Sequence, residues 1–249
     1  MWKGDYRGTS STNCIQFRST CKFKVSGNIM SLIFGDNFED KTDLTDYNYC
    51  FCYLFRNCLN LVDASNLILP ATTLAASCYS SMFSGCNYLT SAPQILPATT
   101  LAEGCYQNMF QNCYSLTTAP ELPATTLTKN SCYVGMFMNC TNLNYIKAMF
   151  TTTPSSSYTL NWVSGVASTG TFVKNPDATW DVTGNSGVPT GWDIVVPNYL
   201  SFEALEAGTF SFTETGISAA TGGISYSLDN GATWTSPTYS ASTPTVSTG

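Results

Sequence analysis

The chain has 249 residues, room for one repeat array and a small extra domain. Only 10% of residues are charged, with ten Lys and Arg and a net charge of −6, which speaks against a nucleic-acid or other polyanion partner. No apolar run approaches the roughly 18 residues of a membrane span, so no membrane insertion is expected.

Residues 1–48 read as an N-terminal β cap. Met1-Trp-Lys-Gly4 lacks the apolar stretch of a secretion signal, so any targeting segment would lie outside this chain. Ile15, Phe17, Phe23, Val25, Ile29 and Ile33 alternate with polar residues and predict two or three strands, broken at Ser26-Gly27-Asn28. The acidic stretch Asp36 to Asp46 invites a calcium reading, but its spacing does not fit a calcium-binding helix-loop-helix. It reads as a solvated face leading into a helix.

Residues 49–148 repeat one phrase about four times. Three copies are Cys78-Tyr-Ser-Ser-Met-Phe-Ser-Gly-Cys86-Asn-Tyr-Leu89, Cys105 to Leu116 and Cys132 to Leu143; a looser first copy runs from Cys50 to Leu61. Phe55, Phe83, Phe110 and Phe137 lie 28, 27 and 27 apart. A second phrase, Leu-Pro-Ala-Thr-Thr-Leu, falls between copies at Leu69–Leu74, Leu96–Leu101 and Leu122–Leu127. Fixed-period self-similarity of this length signals units too small to bury their own apolar face, which must stack to form a core. At about 100° per residue, Cys78, Tyr79, Met82, Phe83, Cys86 and Leu89 fall within an arc of roughly 140°, which predicts a short core-facing helix. The proline-bearing stretch Leu89 to Pro97 predicts a short extended segment pairing with its equivalent one coil away. The fold expected is an α/β solenoid with β caps. Its Cys and aromatic side chains should form columns through the interior.

The phrase Met-Phe-x-x-Cys-x-x-Leu-Thr with a downstream Pro resembles the BspA-type leucine-rich repeat, common in surface proteins of gut Bacteroidetes. That resemblance covers residues 49 to about 150 and implies short-period leucine-rich repeats at a cell surface. The chain departs from the family in placing Met or Leu before Phe and in a slightly longer period. Leucine-rich repeats are scaffolds for many surfaces, so the resemblance names no ligand.

Residues 149–196 read as the C-terminal cap. Tyr145 to Phe150 predicts a last strand, Ser155 to Val163 a short helix, and Gly170 to Asn175 and Trp180 to Val182 further strands. Trp162, Trp180 and Trp192 read as cap core. Residues 197–249 alternate with period two and predict a small all-β, immunoglobulin-like module, truncated in this chain. Within it Ser227-Leu-Asp-Asn-Gly-Ala-Thr-Trp234 resembles the Asp-box hairpin of sialidase-type propellers, a structural turn that does not imply glycosidase activity. The ends look cut from a longer tandem array. Head-to-tail self-association through terminal strands is therefore expected.

Eight of the eleven cysteines, Cys50, Cys58, Cys78, Cys86, Cys105, Cys113, Cys132 and Cys140, hold two fixed repeat positions on the apolar stripe. Free Cys behaves as a small buried hydrophobe. Zinc is disfavoured by the absence of a CxxC spacing and of histidine. Cys14 and Cys21 are the one pair to test for a bond.

No catalytic residue, metal site or cofactor is expected, because histidine is missing and no carboxylate pair recurs. Outer positions vary between copies, as a contact face would. Tyr88 and Tyr114 are the candidate ligand-binding residues, suited to stacking on a sugar or meeting a protein. The chain is thus expected to be a non-catalytic adhesion protein, extracellular or at the cell surface, whose partner is a host or bacterial surface protein or glycan. The alternative is a structural spacer on a bacterial surface or a phage virion.

Overall fold

A computed structural model describes residue 10, residues 13–197 and two backbone strands, Thr209–Ser211 and Thr245–Ser247. The chain divides into two compact units, Met1–Pro197 and Asn198–Gly249. In the second unit the described strands form one antiparallel pair, with Phe210 opposite Val246. The predicted immunoglobulin-like module and the Asp-box hairpin otherwise lie outside the described residues.

The first unit overturns the expected α/β solenoid of leucine-rich repeats. Its regular elements are few: β1 (Phe23–Asn28), α1 (Ser31–Phe34), β2 (Leu61–Ile68), β3 (Tyr145–Ala148), α2 (Ser156–Thr159), β4 (Thr171–Lys174) and β5 (Asp193–Val195). Both helices are four residues long and lie outside the repeat phrases. The sheets are small and parallel, β1-β2 and β3-β4-β5.

Each repeat phrase is a string of overlapping turns. Every second amide closes a turn on its own layer: Cys78, Ser80, Met82, Ser84 and Cys86 donate to the carbonyls three residues back. The amides between them reach the next layer, where Ser77, Tyr79, Ser81, Phe83 and Gly85 donate to Glu103, Cys105, Gln107, Met109 and Gln111. Ser77, Ser81 and Gly85 have positive φ, as do Gly104, Asn108 and Asn112 in the following copy. A right-handed helix admits no such residues, whereas the third position of a type II turn requires one. Gly and Asn enter this region cheaply, and at Ser77 and Ser81 the interlayer hydrogen bonds hold the backbone there. The pattern is therefore two residues inward and two outward, with period four.

The interior columns predicted from the spacing are present. Phe55, Phe83, Phe110 and Phe137 stack with centroids 5.5, 5.2 and 5.7 Å apart, the rings within 15° of parallel. Phe51, Tyr79, Tyr106 and Tyr133 form a second column at 5.6 to 5.8 Å. Hydrogen-bonded layers lie about 4.8 Å apart, so these longer centroid distances mean offset rings, the favoured geometry. The second phrase contributes Leu69, Leu96 and Leu122, then Ala71, Ala98 and Ala124, all buried. Isolated parallel bridges such as Thr73 to Thr100 and Ile95 to Glu121 join these segments.

The caps differ from expectation in detail. A single strand, β1, runs through Ser26-Gly27-Asn28 where a break was predicted, because it pairs with β2 along that stretch. The acidic segment leads into no helix; Leu44 and Tyr49 hydrogen-bond to the next layer instead. Trp180-Asp-Val182 is not a strand, and the last strand is β5. Trp162, Trp180 and Trp192 are buried, and each indole N–H donates to a carbonyl, of Gly187, Phe150 and Ala167 respectively.

The hydroxyl of Tyr79 is buried without a hydrogen-bond partner. Phe51, one layer away in the same column, does without a hydroxyl. Tyr79→Phe should leave stability unchanged or raise it by about 1 kcal/mol. Phe110→Ala, which removes a ring stacked on both sides, should cost about 3–5 kcal/mol. Denaturant midpoints of the two variants give the comparison.

Candidate functional site

Tyr88 and Tyr114 each follow the second cysteine of a repeat, Cys86 and Cys113, at the edge where the chain leaves the turn string for the extended segment. That cysteine and the next leucine, Leu89 or Leu116, are buried, so the residues between them are forced outward. The structure leaves Tyr88 58% and Tyr114 41% exposed. They lie on consecutive layers of one edge, tied by the Ser115 amide donating to the Asn87 carbonyl at 3.2 Å. The neighbour of Tyr114 on the following layer is Asn142, whose Nδ2 donates to the Tyr114 carbonyl at 2.9 Å. Leu59, which matches Tyr114 in the first copy, is also exposed.

Sequence reasoning missed a row of side-chain amides beside these aromatics. Asn139 Nδ2 donates to Asn112 Oδ1 at 2.9 Å. Asn57 lies over Gly85, and Asn108 over Gly135, so closely that a Cβ at either glycine would collide with the amide oxygen. Both glycines also have positive φ. The signal was available in the sequence as Ser, Asn or Gly at every fourth position of the second to fourth repeat phrases. Together the edge offers two phenol rings flanked by amide and hydroxyl groups, a surface that can stack on a flat partner and hydrogen-bond around it.

A second candidate is a cavity of about 330 Å³ beside the acidic segment, lined by Phe34, Asp40, Lys41, Asp43, Asp46 and Tyr47 among others. Asp43 accepts hydrogen bonds from the Thr45 hydroxyl and amide at 2.6 and 2.8 Å, which hold its carboxyl below the usual range. Among the described residues no three His, Cys, Asp or Glu side chains gather as metal ligands.

The repeated cysteines are free thiols, all buried. Cys86, Cys113 and Cys140 donate to the carbonyls of Phe55, Phe83 and Phe110 on the preceding layer, at 3.0, 3.1 and 3.0 Å. Burial pushes the thiols of Cys86 and Cys140 up to about 12, and that of Cys132 to about 11. Cys14 and Cys21 are both free, and the thiol of Cys14 donates to the Ser10 carbonyl at 3.1 Å. No helix among the described residues is long and apolar enough to cross a membrane.

Among protein families, curated proteins and solved structures, none matches this chain.

A thiol with a raised pKa stays neutral in the fold and ionises readily once unfolded. Stability is therefore complete below about pH 8.5 and falls as pH rises toward 12, since the unfolded chain then binds fewer protons. Chemical denaturation at pH 7.5 and pH 10.5 should show the lower midpoint at the alkaline value. At pH 8 a thiol reagent should label exposed Cys21 at once and the eight repeat cysteines only after denaturation.

Proposed function

We propose that this chain is a non-catalytic binding module of a cell surface, which presents the Tyr88–Tyr114 edge to a glycan. The observation that carries this reading is the pairing of two exposed phenol rings on consecutive layers, with an amide row beside them. Sugars present flat C–H faces and peripheral hydroxyls, which suit aromatic rings and amide groups in that order. The edge is built on a rigid layered core, so little conformational entropy is lost when it engages a partner. A protein partner would use the same aromatic edge.

Non-catalytic function follows from the same chemistry. The chain contains no histidine, and its repeat thiols are buried, those of Cys105 and Cys113 pushed well above the usual thiol range by burial. The resemblance of the repeat phrase to BspA-type surface proteins, and an exterior rich in Ser, Thr and Asn, support an extracellular or cell-surface setting. A phage virion that meets such surfaces is the other setting in which this module would serve.

A glycan array probed with the full chain should return a restricted set of ligands. For any ligand found, Tyr88→Ala and Tyr114→Ala should each weaken binding about tenfold, near 1.4 kcal/mol, with unchanged stability. Binding that survives both substitutions would move the site elsewhere. Silence on glycan and surface-protein arrays alike would favour a spacer.

A further inference from the structure

We propose that copies of this chain add head to tail, with β5 of one copy pairing in parallel with the outer edge of β1 of the next. Parallel pairing runs from one end of the first unit to the other. Lys24 pairs with Asp63 and Asp63 with Ser91; the repeat aligns Ser91 with Thr118; and Thr118, Tyr145, Thr171 and Asp193 continue the series. β1 and β5 are the two ends of this series, and among the described residues neither has a strand on its outer side.

The neighbouring inward column shows that the C-terminal end is unfinished. Its members Ala64, Ala92, Ala119, Ile146 and Phe172 are all buried. Ile194 is in register with Phe172 and occupies the same column, yet it is 42% exposed, since among the described residues no further layer covers it. Val195 and Val196 beside it are exposed as well. At the opposite end, the residue after Lys24 in this column is Val25, only partly buried against the core.

A second copy of the chain is the occupant that these two ends fit. Continuing the internal register places Ile194 against Val25 of the second copy, apolar on apolar. The same register sets the Asp193 carboxylate beside Lys24 of the second copy. The pairing already exists inside the molecule, where Lys24 Nζ lies 3.1 Å from Asp63 Oδ2 in the same column. Lys22 and Arg18 add positive charge near β1, and both are exposed. The contact joins two different surfaces by something close to a translation, so it does not close and should yield chains of copies.

Sedimentation velocity of the full chain across a hundredfold concentration range tests the proposal. The weight-average mass should rise past that of a dimer. Ile194→Lys, which blocks the β5 end, and Lys24→Glu, which sets a carboxylate against Asp193, should each remain monomeric with unaltered circular dichroism. An equimolar mixture of the two should form a dimer and stop there, since each variant keeps the end that the other lost. Should Lys24→Glu perturb the fold, Lys22→Glu at the same end replaces it in the mixture. A constant monomer mass for the parent chain, association indifferent to Ile194→Lys, or a mixture that stays monomeric would each overturn the proposal.

Discussion

Registry between layers is the constraint on which the rest of the first unit depends. Half of the amides in each repeat phrase bond within their own layer and half to the next. Neither set would satisfy the buried backbone alone, and an unpaired N–H in this interior would cost about 1–3 kcal/mol. A one-residue slip would exchange the two sets and move Tyr79 and Phe83 out of line with the rings above and below, breaking both aromatic columns. Ring stacking and amide bonding therefore specify the same register. That agreement is why near-identical side chains recur at Phe83, Phe110 and Phe137.

The choice of cysteine at the second repeat position has a physical explanation in this geometry. The Phe83 carbonyl accepts from the Cys86 amide in its own layer and from the Cys113 thiol of the next. The Phe110 carbonyl likewise accepts from the Cys113 amide in its own layer and from the Cys140 thiol of the next. Alanine would fit the space but leave the second lone pair empty. Serine would fill it while carrying a hydroxyl more costly to desolvate. A thiol is small, mostly apolar and still a donor, which is what the crowded position between layers admits.

Much of this core was legible in the sequence, but the local conformation was not. Cys78, Tyr79, Met82, Phe83, Cys86 and Leu89 point inward both on a helix and on the observed turn string. A helix advances about 100° per residue and a period of four about 90°, so over eight residues the two patterns diverge by less than one side-chain position. The sign that separated them was Ser77, Ser81 and Gly85, then Gly104, Asn108 and Asn112, spaced by four at positions of positive φ. Likewise, Ser26-Gly27-Asn28 has the composition of a break and became strand because β2 supplies partners for it. Tertiary pairing decided what propensity could not.

Legibility of the candidate site was limited for a different reason. Outward direction can be deduced for Tyr88 and Tyr114 once their buried neighbours are known, and both are exposed. The amide row from Asn57 to Asn139 depends on which side chains lie over the glycines of the adjoining layer, a relation between residues 27 or 28 apart. The same holds for Ile194, an ordinary strand residue in sequence whose meaning comes from its column. Ala92, Ala119, Ile146 and Phe172 in that column each have a layer on both sides, and among the described residues Ile194 has one on a single side only. A core built by repetition has no intrinsic stopping point, so its ends must be closed by dissimilar chemistry or remain adhesive. At the turn strings closure is visible, in the tryptophans of one end and in Phe17 against Phe55 at the other. Along the strands no such residue stands over β5 among the described residues, and the apolar, acidic edge left there complements the basic edge at β1.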